Sequence, residues 1–332
     1  MKRGRLLRTV LVAVSLTATA MLGAMDTALA QDKPFAGITV RMATFGGKWR
    51  DLIMANVGKA FADKGGKLEV FAGQPGDNVA KLIMARGAAP PYDLLEAVDN
   101  FLPALEHGGF IEPMDLDKIP NKSYLAKNDY DKFKLKTWTT ESAVLYNTEK
   151  FKQEGIPAPK TYDDLLNPKL RGHVSYPDIG GGGAIPCIVG AALTHGGDES
   201  NIDPGLEFIR KLHVKAFWKS SSELQTLFKS GDIWAACAGV HNIPRLHGAV
   251  PLWATHVEVK PGRVGITKEG WMVMVKGGKN REAAEWVINN YLGVAHQTAI
   301  AKGGLLPSNQ QVLAAMAKDP KLGYMRLKPD EL

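Results

Sequence analysis

Two glycine clusters are the residues of this chain best placed to do chemistry through the backbone. Gly46-Gly47-Lys48 follows an apolar alternation at residues 38–43, and Gly180-Gly181-Gly182-Gly183 follows a second short apolar run at 174–176. Each opens a helical stretch. A glycine turn lets the backbone approach a bound group closely, and the helix behind it offers unpaired N–H donors with partial positive charge. Two such turns, one in each half of the chain, point to two bodies closing on one small molecule. Taken singly, each also reads as an ordinary strand-to-helix turn.

Other candidates cluster at strand ends. Phe45 precedes the first glycine turn, Asp99 and Asn100 follow the third apolar strand, and Thr139, Thr140 and Glu141 sit in a long extended stretch. Asp178 lies just before the second glycine cluster and Gly239 just after the strand at 233–237. Trp138 and Trp271 are available as walls, although core packing is the commoner fate of tryptophan. Asp99 reads equally as a helix cap, and Lys48 equally as a solvated first-turn lysine.

Enzyme chemistry finds no support in the spacings. The chain has no G-x-S-x-G elbow, no H-E-x-x-H and no P-loop, and its eight histidines are dispersed. No catalytic residue, metal site or cofactor is expected. Asp163-Asp164 reads as the capping group of a short helix.

The elements that position these residues alternate between strand and helix, which argues for parallel sheets flanked by helices. Residues 38–43, 68–71 and 92–95 read as strands, and the spacing at 49–63 predicts a helix. Residues 136–146 read as one strand long enough to leave one lobe and enter another. Strands at 174–176, 233–237 and 271–275 and helices at 184–194 and 281–292 complete the pattern.

The first thirty residues read as an export signal. Lys2, Arg3, Arg5 and Arg8 precede a largely apolar run, and Ala28-Leu29-Ala30 gives an A-x-A cleavage site. They hold four bases and one acid, so the net charge of +7 falls to +4 beyond them. The remaining bases are scattered, which argues against a nucleic-acid partner. Cys187 and Cys237 are the only cysteines, and in an oxidising compartment they are either bridged or two separate buried thiols.

Several segments in order resemble the bacterial extracellular solute-binding proteins, the periplasmic receptors of ABC importers, and within them the spermidine/putrescine-binding and iron-binding group. They are Thr44-Phe45-Gly46-Gly47-Lys48-Trp49, Pro91-Tyr92-Asp93-Leu94, the run from Leu145 to Phe151, that from Thr161 to Gly172, that from Lys279 to Glu285, and that from Gly304 to Asn309. The resemblance implies a two-lobed α/β fold of the periplasmic-binding-protein type II kind. One lobe would be built from 31–138 with 268–332 and the other from 139–267, each with its own mainly parallel sheet. It also implies a small-molecule solute held between the lobes, a cognate ABC permease, a periplasmic location and a monomer.

The ligand set departs from that group. Asp178 matches a cleft carboxylate of the polyamine receptors, but their next acid falls in the Gly180–Gly183 run. Their first-loop acid is replaced by Gly46-Gly47-Lys48, and their aromatic near the strand at 233–237 by Ala238-Gly239. Lost carboxylates and added glycines favour a small anion or zwitterion, with the Gly180–Gly183 turn holding its negative group. A polyamine or other organic cation is the alternative ligand, and a periplasmic enzyme on the same scaffold the alternative class.

Overall fold

The computed structural model describes residues 33–86, 88–180 and 183–318. The export-signal segment, Gly181 and Gly182 lie outside the described residues. The strands are β1 (Thr39–Thr44), β2 (Lys67–Ala72), β3 (Leu94–Val98), β4 (Ile111–Glu112), β5 (Lys134–Asn147), β6 (Val174–Pro177) and β7 (Val214–Trp218). They continue as β8 (Ala235–Gly239), β9 (Leu252–Thr255), β10 (Glu258–Lys260), β11 (Arg263–Val264), β12 (Ile266–Val275) and β13 (Leu306–Pro307).

The main ladder runs β2-β1-β3-β12-β5-β8-β6-β7, with β4 on β12 and with β9 and β13 on β5. β1 lies parallel to β2 and β3, and β6 lies parallel to β7 and β8. These are the pairings that strand–helix alternation requires. Antiparallel pairing enters where β12 and β5 run through the middle.

Those two strands join the lobes. On β5, Leu135 and Trp138 pack with Val40, Ile53 and Met272. Further along the same strand, Ala143 and Leu145 pack with Ala236 and Ala238, while Val144 and Tyr146 pack with Tyr162 and Phe208. β12 makes the reverse passage, with Ile266 against the Tyr162 cluster and Met272 and Met274 in the Val40 cluster. A second layer around Leu95, Ala97 and Val273 covers the other face of the first lobe. Each lobe therefore buries both faces of its share of the ladder, and the protein is a two-lobed α/β fold.

One feature departs from the sequence expectation. The lobes share one continuous ladder instead of owning separate sheets. β5 has 14 residues and β12 has 10, and at about 3.3 Å per residue both strands are long enough to pair in each lobe. The chain also returns late: Ile300 is buried in the first lobe's core, whereas Ala301, Val312 and Met316 pack into the second's.

Cys187 and Cys237 form a disulfide, with Cα atoms 6.1 Å apart. It ties the helix Ala184–Thr194 to β8. Among the described residues no helix is long and apolar enough to cross a membrane.

Candidate functional site

A cavity of about 340 Å³ opens where strand ends from both lobes meet, as open α/β sheets place their ligands. The first lobe supplies the loop after β1 from Phe45 to Trp49, Trp138 from β5 and Lys268 from β12. The second lobe supplies Thr140 and Ser142 from the far half of β5, Gly239 and His241 after β8, and Arg245. It also supplies the turn after β7 from Trp218 to Ser222.

Local sequence builds each wall. Gly47 adopts φ 61° and ψ −141°, a backbone state closed to residues with a Cβ, and it aims Lys48 from the first position of the next helix. Ser220 caps the helix Ser221–Ser230 by accepting from the Glu223 amide at 3.2 Å, and Glu223 reaches back to the Lys219 amide at 2.8 Å. The cap leaves the Ser221 and Ser222 amides directed at the cavity end of a ten-residue helix. A Cβ on Gly183 would lie 2.9 Å from the Trp218 ring, so glycine is what lets that ring wall the second lobe.

The cavity is cationic. Lys48, Lys219, Arg245 and Lys268 line it, and among the described lining residues there is no Asp or Glu. Burial pushes the Arg245 guanidinium down to about 10, still charged at neutral pH. Burial, reinforced by Arg245, brings Lys268 down to about 8, with Asp99 and Glu96 opposing that shift. The Lys268 ammonium lies 5.8 Å from the Phe45 ring centre and 5.5 Å from that of Trp138, within cation–π reach.

Beneath this layer sits Glu96, 1% exposed. Its carboxylate accepts from Trp49 Nε1 at 2.8 Å, Trp138 Nε1 at 2.8 Å and Tyr291 Oη at 2.7 Å, and also from Thr44 and Thr137. Five neutral donors on one buried carboxylate hold two of the cavity's tryptophans in place. Glu96→Ala is expected to destabilise the protein by about 3 kcal/mol, because the donors lose their shared acceptor. It should also lower ligand affinity. Denaturant unfolding and Trp fluorescence check this, and a change under 1 kcal/mol would show that the network is dispensable.

The residues expected from sequence divide clearly. Phe45, Gly46, Gly47, Lys48, Thr140, Gly183 and Gly239 line the cavity. Asp99, Asn100, Thr139, Glu141, Asp178, Gly180 and Trp271 do not, and Gly181 and Gly182 lie outside the described residues. Asp99 accepts from the amides of Asn100 and Glu269, and burial raises its pKa. Glu141 is fully buried with Oε2 2.6 Å from His256 Nδ1, and a Cβ on Gly265 would fall 2.0 Å from its Oε1. Asp178 takes the Gly180 amide at 2.9 Å, which removes one of the donors that the glycine turn was expected to offer. Trp271 packs in the first lobe's core beside Val273, with the Lys134 and Lys136 ammoniums over its ring.

Sequence reasoning missed Trp218, Ser220–Ser222, His241, Arg245 and Lys268. The serines carried a usable signal, since Ser220-Ser221-Ser222-Glu223 is a capping box ahead of an apolar run. Arg245 and Lys268 carried none, being single bases in segments that no spacing marks.

A two-lobed α/β body with a cavity between its lobes at the strand ends is the architecture of a solute receptor. The chain belongs to the bacterial extracellular solute-binding protein family, whose model matches residues 56–323. It is a solute-binding protein of the kind that works with ABC transporters. The comparison with curated proteins finds no match. Among solved structures, the periplasmic binding protein AfuA from Actinobacillus pleuropneumoniae, with fructose-6-phosphate bound, is 18% identical with a TM-score of 0.70, over 88% of this chain and 92% of that one. A GABA receptor is also 18% identical with a TM-score of 0.70, over 87% and 88% of the two chains. AgtB from A. tumefaciens R10, in complex with agropinic acid, is 17% identical with a TM-score of 0.68, over 87% and 91%.

Proposed function

We propose that this protein captures a small organic anion between its lobes in the periplasm and presents it to the permease of an ABC importer, without catalysis. The observation that carries this reading is the lining itself: four cations and a capped helix N-terminus, with no acid among the described lining residues. A buried positive site of this kind favours an anion and disfavours an ammonium. A zwitterion would need a carboxylate for its amine, and Asp99, Glu141 and Asp178 stand outside the lining. The same absence weighs against a polyamine. A volume of about 340 Å³ lies at the small end of the roughly 300–1,000 Å³ usual for ligand pockets.

On this reading the lobes are residues 31–138 with 268–332, and 139–267. The last described helix, Gln310–Met316, packs Val312 and Met316 into the second lobe's core. A ligand touching Lys48 on one side and Ser221 on the other favours the closed arrangement, which is what lets it shift the equilibrium. The receptor acts as a monomer, and residues 1–30 export it.

A thermal-shift panel of sugar phosphates, dicarboxylates, GABA and spermidine tests the reading. Anions are expected to raise the melting temperature by several degrees at a hundredfold excess over Kd. Stabilisation by spermidine alone would overturn the anion reading.

Lys268 gives a pH prediction. Its folded pKa of about 8 lies below the ordinary lysine value of 10.5, so between these pH values the unfolded chain binds more protons than the folded one. The ligand-free protein therefore gains stability from this group as pH rises through that window. A bound anion favours charged Lys268, so affinity runs the other way. It should be flat below neutrality and fall by up to about tenfold per unit above pH 8. Calorimetry at pH 7, 8 and 9 should show this slope in the wild type and lose it in Lys268→Met. A slope that survives in the variant would assign it elsewhere.

A further inference from the structure

A set of neutral hydrogen bonds in the same cavity has a fixed direction. Asn242 Nδ2 donates to the Gly239 carbonyl at 3.0 Å and meets His241 Nε2 at 3.3 Å. An amide nitrogen donates and does not accept, so Nε2 carries no proton. Burial, reinforced by the Arg245 and Lys268 charges, holds the ring's pKa well below the usual histidine value and keeps it neutral. The ring's single proton is therefore on Nδ1.

The consequence reaches two lining hydroxyls. Nδ1 donates to Thr140 Oγ1 at 3.1 Å, while Ser221 Oγ, 3.3 Å from Nε2, directs its proton to the ring. Thr140 has accepted, so its own O–H is available to the cavity as a donor. Ser221 has donated, so only its lone pairs remain. One neutral histidine thus gives two similar hydroxyls opposite polarity. Gly239 makes the ring position accessible, since a Cβ there would lie 2.5 Å from His241 Cε1.

We infer that the solute carries a hydroxyl beside its anionic group, the anion accepting from Thr140 and the cations and the hydroxyl donating to Ser221. This rests on the anion reading above and narrows it from organic anions to hydroxylated ones. A ligand without the hydroxyl would leave the Ser221 lone pairs buried and unpaired, and sites built to bond a substrate hydroxyl discriminate strongly against analogues that lack it.

Two measurements on the ligand-free full chain and its Ser221→Ala variant decide the matter. Nitrogen NMR of histidine-labelled protein should find His241 neutral with its proton on Nδ1 across neutral pH. A proton on Nε2, or a charged ring, would overturn the inference. Calorimetry should find glycerol 3-phosphate binding at least about tenfold tighter than propyl phosphate. In Ser221→Ala that ratio should collapse toward one. Equal binding of both phosphates by the wild type, or an unchanged ratio in the variant, overturns the hydroxyl requirement and leaves the anion reading standing. Failure of both phosphates to bind overturns the anion reading and this inference together.

Discussion

Arg245→Leu is expected to weaken binding of an organic anion between about 30-fold and several thousandfold, corresponding to the roughly 2–5 kcal/mol lost when one partner of a buried charge pair is removed. The same change should leave the melting temperature of the ligand-free protein unchanged or raised. Both signs follow from one feature. Arg245 is held largely out of water with no carboxylate paired to it in the described structure, and burial depresses its pKa to about 10. An uncompensated cation destabilises the ligand-free fold, and a bound anion removes that penalty. Leucine has no charge to desolvate and can pack beside Ile243 and Leu246, which belong to the second lobe's core. Calorimetry and thermal melts on the same preparation read both quantities. A variant that binds normally, or one that loses affinity and stability together, would show that Arg245 is a structural residue.

That trade of stability for function also marks where sequence reading stops. The lobes were legible because their elements are periodic. Val40 and Met42 alternate into one core, and the stretch around residues 136–146 proved to be the crossing strand β5 (Lys134–Asn147). The first-lobe loop was legible for a related reason. Gly46-Gly47-Lys48 declares its turn, and Gly47 does take the positive φ that glycine permits. Arg245 and Lys268 are different, because neither belongs to a pattern. Each becomes a site residue only when β12 crosses back between the lobes and the segment after β8 folds over the cavity. A desolvated cation looks in sequence like any surface base. The acids fall outside the cavity lining for the converse reason. Glu141 and Asp178 sit at plausible positions along their strands, yet Glu141 is turned to His256 and Asp178 to its own loop. A carboxylate near a strand end has several ways to be satisfied, and only the register of its neighbours selects among them.

Removing the disulfide should have the largest effect on stability. The Cys187–Cys237 bridge spans a sequence separation of 50. Closing a loop of that length lowers the entropy of the unfolded chain enough to stabilise the fold by about 4 kcal/mol. The double variant Cys187→Ala/Cys237→Ala is therefore expected to melt on the order of 10 °C lower. Its urea m-value should rise, because the open denatured chain expands further. The site should be affected far less. Cys187 stands four residues after Gly183 and Cys237 two before Gly239, both cavity-lining glycines. Those walls are also held independently, β8 by its ladder with β5 and the helix Ala184–Thr194 by its burial against the Tyr162 cluster. Ligand affinity should accordingly change by less than about threefold, and saturating ligand should recover part of the lost melting temperature by mass action. A large loss of affinity with little loss of stability would mean that the bridge acts on the folded cavity, holding its two glycine walls at a fixed distance, and would reject the unfolded-state account.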